Sequence, residues 1–340
     1  GAAAALAACL PRPLSEQAPA PSSAGARSGN ALADQANARL QVLRDDLIAF
    51  RRDLHRHPEV SSQEVRTAAR IADRLEQLGL NVRRNVGGHG VVAVLRGAGP
   101  GPVIAFRADM DAVLSDAPDP VDFDSINPGV RHICGHDIHA TIGVALAEAF
   151  SAIRQDLAGA IVLVFQPAEE NVTGARLMIE AGALEDPLSD AIFAYHTAPY
   201  EVGQIAYSET TLMAARDRVT ATIAGRARRA ADELHNRILS LGNISSLNEP
   251  QPIGSDFVWV DAAPVTRTAS GAWLINANVS LATDTARSQL RAGIDQAIAS
   301  LSRSNPSAHI ELNYEAGASP GVFNNSELAR AAAKLMIAGG

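Results

Sequence analysis

Between Ala33 and Asp53 the apolar residues Leu40, Leu43, Leu47 and Phe50 recur at intervals of three and four, the repeat of one helix face. A second helix is predicted over Ser62–Leu78. The cluster Ser61-Ser62-Gln63-Glu64 at its start has a capping composition, and Gly79 stops it. Short apolar runs then predict strands at Gly90–Leu95, Val103–Arg107, Ala160–Phe165 and Ala191–Tyr195, with helices at His139–Ile153 and Ala175–Ala181 between them. Strands alternating with helices predict an α/β domain whose mixed, mostly parallel sheet is flanked by helices.

The pattern changes near Thr211. Strands are predicted at Arg218–Ile223, around Phe257–Val260, at Ala272–Leu281 and at Ile310–Tyr314, with helices at Ala227–Leu241 and Thr283–Leu301. This reads as a smaller α+β domain inserted into the first. Gly317-Ala318-Ser319-Pro320-Gly321 breaks the chain, and a new helix begins at Ser326 and runs to Met336. The expected divisions are a leader-like tether over 1–30, a first catalytic segment over 31–210, the inserted domain over 211–316, and a second catalytic segment from 317 to 340.

Composition narrows the function. Of 340 residues 47% are hydrophobic, enough for two packed domains and too many for general disorder. The net charge of -8 lacks the basic footprint of a nucleic-acid binder. Two cysteines, Cys9 and Cys134, make no disulfide framework. No apolar run approaches the ~18 residues of a membrane span. Small apolar residues lead into Leu6-Ala7-Ala8-Cys9 and then a Pro/Ser/Ala/Gly stretch to Asn30. This is similar to the tail of a bacterial lipoprotein signal followed by a tether, with Cys9 as the lipidated residue and a periplasmic, membrane-anchored location as the expectation.

The chemistry gathers where strands end. Val103–Arg107 leads into Asp109 and Asp111, Ala160–Phe165 into Pro167-Ala168-Glu169-Glu170, and Ala191–Tyr195 into His196. Between the first two stands Arg131-His132-Ile133-Cys134-Gly135-His136-Asp137-Ile138-His139, just before a helix. Ligands of open α/β sheets bind beyond the carboxyl ends of the strands, so distant segments can converge there. Imidazole, thiolate and carboxylate together suit Zn²⁺ or a similar divalent ion. Cys134-x-His136 fits a tight loop at a helix start rather than one helix face. Adjacent glutamates allow one to bind metal and the other to move protons. Singly, each residue has an ordinary reading: a buried small thiol, a charged helix start, a surface histidine. His55 and His57 fit the charge preference of a helix end. A cysteine nucleophile with His136 or His139 as its base is a further reading of the same loop.

Four segments, Arg52-Asp53-Leu54-His55-Arg56-His57-Pro58-Glu59, Phe106-Arg107-Ala108-Asp109-Met110-Asp111-Ala112, Pro128-Gly129-Val130-Arg131-His132-Ile133-Cys134-Gly135-His136-Asp137 and Phe165-Gln166-Pro167-Ala168-Glu169-Glu170, resemble the metal-dependent amidohydrolases that include aminoacylases, hippurate hydrolases and auxin-conjugate hydrolases, within the zinc aminopeptidase and carboxypeptidase group. The resemblance covers about Ala33 to Tyr207 well. It implies one or two divalent ions, zinc or manganese, held by Cys134, His136, Glu170 and His196. Glu169 would be the general base, and Asp109 a carboxylate steadying a ligand. The substrate would be an N-acyl amino acid or small peptide, and the inserted domain would serve as a lid and a homodimer surface. A last histidine ligand of the family belongs to a segment not found before Gly340. Arg229 stands where the family's lid carries a histidine reaching the substrate carbonyl, with His235 a weaker substitute, and Ala263-Pro264-Val265 lacks the family's asparagine. The altered lid leaves open a non-catalytic relative that binds a ligand through the same fold.

Overall fold

The computed structural model describes residues 29–225, 227–244 and 257–338, and the chain divides into two compact units between Pro199 and Tyr200. Cys9 and nearly all of the tether lie outside the described residues. No helix among those described is long and apolar enough to cross a membrane.

The first unit begins with two helices, α1 (Gly29–Arg56) and α2 (Val65–Gln77). The strands β1 (Asn81–Val86), β2 (Gly90–Arg96), β3 (Gly99–Asp109), β4 (Val113–Leu114) and β5 (Val130–Arg131) follow, then α3 (His136–Ala152), β6 (Ala158–Gln166), α4 (Gly174–Glu180) and β7 (Ala191–Ala194). The main sheet has the order β1-β2-β6-β3-β7. β6, β3 and β7 are parallel, whereas β1 and β2 join antiparallel. The mixed, helix-flanked sheet predicted from the pattern is therefore present, and β1 was not foreseen. Its two faces follow from the period of two along each strand. Val91, Ala93, Leu95, Leu163 and Phe165 pack under α1, α2 and α3 with Leu54, Ile71, Leu75 and Val144. Val92, Val94, Val162 and Val164 point the other way and meet Met178 of α4. Gly143 lets α3 lie close on the sheet, since a Cβ there would sit 2.7 Å from the Phe165 ring.

The start of α2 differs from the expected cap. No side chain of the Ser61–Glu64 cluster caps it. Instead Glu59 accepts from Arg66 N at 3.0 Å and Thr67 N at 2.7 Å, satisfying two of the free amides from outside the cluster.

The second unit holds β8 (Thr211–Met213), β9 (Ala215–Ile223), α5 (Arg228–Leu239), β10 (Val258–Ala262), β11 (Thr266–Arg267), β12 (Trp273–Leu281), α6 (Asp284–Ser304), β13 (Ile310–Ser319), β14 (Val322–Phe323) and α7 (Ser326–Ala338). Its antiparallel sheet runs β10-β12-β9-β13. Val219, Ala221 and Ile223 of β9 and Ile275, Ala277, Val279 and Leu281 of β12 form the core with Leu234 and Ile238 of α5 and Leu290, Ile294 and Leu301 of α6. Thr283 caps α6 by accepting from Ala286 N at 3.1 Å. β13 continues past its predicted end at Tyr314, into the expected break.

Asp217 explains that continuation. It occupies an inward, apolar position of β9 and is 1% exposed. Its oxygens accept from Arg287 Nε at 2.8 Å, Tyr314 Oη at 2.6 Å and Gly317 N at 2.7 Å. Burial alone would raise its carboxyl, but Arg287, the Gly317 amide and Tyr314 outweigh burial and hold it below the usual range. A group so lowered stabilises fully above its unfolded value near ~3.9 and loses that contribution as pH falls through its folded value. Asp217→Ala, which strands Arg287, should cost about 3–5 kcal/mol at neutral pH. The melting-temperature gap between wild type and Asp217→Asn should shrink below about pH 4. A gap that stays constant into acid would show that the charge is not its source.

Candidate metal centre

Three parallel strands end on one side of the first unit. β3 ends in Asp109, fully buried, with Asp111 two residues on. β6 ends in Gln166 and passes through Pro167 and Ala168 to Glu169 and Glu170; β7 is followed by Tyr195 and His196. The fourth contribution comes from the start of α3. Gly135 adopts a left-handed backbone (φ +80°), and a Cβ there would come within 2.5 Å of Thr197 Oγ1. That turn places Cys134 just before the helix and His136 at its first residue, where the sequence reading had the helix start three residues later.

The helix start is anchored from behind. Buried Asp137 pairs with Arg51 Nε at 2.8 Å and His55 Nδ1 at 2.8 Å, and His55 Nε2 meets Asp119 at 3.1 Å. The Asp137 bond pulls the His55 imidazole up; burial opposes it, and Asp119 adds to the rise. His55 is thus a bridge between α1 and α3, and His57 bonds its own helix at Asp53 O, as expected of helix-end histidines.

Cys134, His136 and Glu170 offer ligand atoms all within 4.8 Å of one another, and so do Asp109, His136, His139 and His196. His136 belongs to both groups. Its Nδ1 meets Asp111 Oδ1 at 3.1 Å. Its Nε2 is buried with no hydrogen-bond partner, yet oxygens of Glu170, Glu169 and Asp109 lie 3.7, 3.8 and 3.8 Å away. Such spacings are too long for hydrogen bonds. Two ligands at ~2.1 Å from one ion across a tetrahedral angle stand about 3.4 Å apart, so the set fits a cation better than a proton. His196 Nδ1 bonds Thr197 O at 2.6 Å, so this nitrogen carries the proton and Nε2 is left as a donor. His139 is different. Thr197 N donates to its Nε2 at 2.8 Å, so the proton sits on Nδ1 and is given to Asp109 at 2.6 Å. Both its nitrogens are engaged, and we read it as support rather than ligand.

Asp109 therefore steadies His139, while Arg107 pairs with its other oxygen at 2.7 Å. Burial would raise the Asp109 carboxyl, but His139, Arg107 and His136 hold it well below the usual range. Asp111 is assigned no role by the sequence pattern beyond its place at the strand end. It joins His136 to the glutamate turn, accepting from Glu170 N at 3.0 Å and from Ser61 Oγ at 2.6 Å. Glu169 is raised, first by burial and then by the charge of Asp109, against the pull of His136 and Arg107. Cys134 is pushed up to about 12 by burial, its bond to Glu170 and the surrounding carboxylates. A thiol nucleophile needs the opposite shift, so the cysteine-hydrolase reading loses its footing. Arg229 lies exposed in the first turn of α5, in the second unit, and His235 is half-buried further along that helix.

Many known proteins are similar to this chain. The chain is 39% identical over 186 residues to an N-acyl-L-amino acid amidohydrolase of Geobacillus stearothermophilus, covering 54% of this chain and 50% of that one. It is 36% identical over 226 residues to the IAA-amino acid hydrolase ILR1-like 5 of Arabidopsis thaliana, covering 64% and 51%. The chain spans about half the length of the curated relatives it matches. Among solved structures, the YXEP protein of Bacillus subtilis, described as a dinuclear metal binding peptidase from the M20 family, superposes with a TM-score of 0.75 at 29% identity, over 87% of this chain and 80% of that one. The model of peptidase family M20/M25/M40 matches residues 105–340, the span that carries every strand-end residue of the centre, and the chain belongs to that family.

Proposed function

We propose that the protein is a metal-dependent amidohydrolase acting on the amide bond of N-acyl amino acids or small peptides. The unpartnered Nε2 of His136, ringed by carboxylate oxygens and grouped with Cys134, carries this reading. Cys134, His136, Glu170 and His196 would hold one or two divalent ions, zinc or manganese. When bound, such an ion supplies Lewis-acid polarisation of the scissile carbonyl and lowers the pKa of attacking water from 15.7 towards ~7 in zinc sites.

The chain's own residues do the rest. Glu169 is partly open to solvent, with an oxygen 3.8 Å from His136 Nε2. It takes the proton of the attacking water on a carboxylate oxygen and returns it to the departing amine nitrogen. Its raised affinity for protons suits a group that must hold one between these steps. Asp111 keeps the donor His136 in a fixed orientation and Asp109 fixes the supporting His139, so the centre needs no rearrangement when substrate arrives.

Purified protein incubated with a panel of N-acyl amino acids and dipeptides should release free amino acid. Chelation should stop the reaction and added zinc or manganese restore it. Metal-loaded protein that hydrolyses none of the panel would overturn the reading and favour a ligand-binding relative. If Arg229 takes over the role of the lid histidine, Arg229→Ala should lower kcat by ~10²-fold, the cost of one oxyanion donor, with metal content unchanged. Unaltered kinetics would make it a solvated lid residue.

A further inference from the structure

Glu64 is a buried carboxylate at the start of α2, and the mechanism above does not use it. Its side chain is completely buried, and a buried carboxylate is tolerated only for a purpose. Local helix capping is not that purpose, because Glu59 already accepts from the amides of Arg66 and Thr67. Glu64 instead reaches across 104 residues of sequence. Its Oε1 accepts from Ala168 N at 2.7 Å, and the same oxygen accepts from Ser62 N at 2.9 Å. Its Oε2 is buried and without a partner.

Ala168 immediately precedes Glu169 and has φ +52°, a left-handed conformation that a residue with a Cβ rarely adopts. It is 2% exposed, so it has no room to turn over. Its carbonyl accepts from Thr173 N at 3.3 Å and Gly174 N at 3.1 Å, and its amide is held by Glu64. One residue beyond Glu169, the amide of Glu170 is held by Asp111 at 3.0 Å. Both amides that flank Glu169 are thus gripped by buried carboxylates from other segments.

We propose that Glu64 is a positioning residue: by binding the Ala168 amide it holds the left-handed turn that aims Glu169 and Glu170 at the metal centre. The assignment rests on the roles proposed above for those two glutamates. Strain at a functional turn persists only where the surroundings over-determine it, and Glu64 is the element of the surroundings that can be removed without touching the centre itself.

The test uses five variants of the full chain. Glu64→Met keeps volume and removes the acceptor; Glu64→Gln keeps an acceptor oxygen; Glu64→Asp keeps the carboxylate but shortens its reach. Glu59→Ala breaks the helix cap alone. A fifth, Glu64→Met with Ala168→Gly, lets the turn adopt φ > 0 without help. Five quantities are read: kcat, KM, zinc affinity by competition with a chelating dye, melting temperature, and amide exchange across 166–174 in metal-free protein. Glu64→Met should lower kcat ~10²-fold, the cost of a misplacement near 1 Å, with KM moved far less. It should weaken zinc ~10-fold, as losing an orienting partner does, and speed exchange at Ala168. Gln should restore most of this, and glycine at 168 should recover at least ~10-fold of the kcat lost by Met, as a relieved backbone penalty would. Glu59→Ala should lower the melting temperature and leave kcat alone. Equal melting losses in Met and Glu59→Ala with kcat, zinc affinity and exchange intact would overturn the proposal, as would failure of glycine to rescue. Should Met fail to fold, Asp replaces it, and wild-type kcat and exchange in Asp would be equally fatal. If wild type itself proves inactive, the hydrolase reading fails, while exchange at Ala168 and zinc affinity still decide what Glu64 does.

Discussion

Glu169→Gln is expected to abolish turnover while the protein still takes up metal, and Glu170→Gln to lose metal first and activity in consequence. The two side chains are neighbours, but their surroundings divide them. Glu170 lies in the group with Cys134 and His136, its Oε1 buried and without a hydrogen-bond partner. Glu169 is more open and is raised by burial and by Asp109. Loss of a general base costs ~10²–10⁴-fold in rate and leaves binding alone. Loss of a ligand weakens the ion and everything after it, so excess zinc or manganese should recover part of the Glu170→Gln activity. Metal analysis beside steady-state kinetics separates the cases. Metal lost from the Glu169 variant and kept by the Glu170 variant would reverse the assignment. If neither substitution affects either measurement, the pair is only a charged turn.

Gly174→Ala should be strongly damaging to the first unit. An added Cβ at Gly174 would lie 1.7 Å from the Pro167 carbonyl oxygen and 2.7 Å from its carbon, both backbone atoms. Neither can swing aside as a flexible side chain would. The turn from Pro167 to Thr173 must shift, and that turn carries both glutamates. We expect about 3 kcal/mol of destabilisation, at the upper end of overpacking costs, and a melting temperature lower by ~6–12 °C. Metal affinity should fall with it. Gly99→Ala is the control, since nothing lies within 4 Å of a Cβ there and its backbone is ordinary. Gly174→Ala with unchanged metal affinity would show that the glutamate turn tolerates displacement.

The apolar runs Val91–Leu95 and Val162–Phe165 are plain in the sequence because a strand packed on both faces is apolar throughout, and those strands fall where expected. Cys134, His136 and Glu170 form one group of potential ligand atoms and His136 and His196 belong to a second, and each of these residues stands just beyond a strand or at a helix start. Other features were hidden because no local pattern encodes them. The cap of α2 belongs to Glu59, outside the cluster that has a cap's composition. The start of α3 depends on Gly135 in a left-handed turn against Thr197, a contact across 62 residues of sequence. His139 is indistinguishable from a ligand until Thr197 is seen to occupy its second nitrogen. Asp217 stands just before the predicted strand Arg218–Ile223, and nothing local marks it as buried until Arg287 and Tyr314 close over it.

The order β1-β2-β6-β3-β7 has a consequence for how the protein is made. The strand that joins β2 to β3 leaves the ribosome after both. Gln166, the last residue of β6, is translated 57 residues after Asp109 closes β3. At ~5–20 residues per second that is a wait of about 3–11 s. Throughout it the wholly buried run Val91–Leu95 has one strand edge and most of its apolar surface without a partner, a condition in which nascent chains associate with one another. His196 arrives 30 residues later still. No earlier length of nascent chain unites Cys134, His136, Glu170 and His196, so the residues proposed to hold metal are all present only near the end of the first unit's synthesis. Slow codons placed between Arg96 and Ala158 would lengthen the exposed interval, and chaperone demand should rise with it.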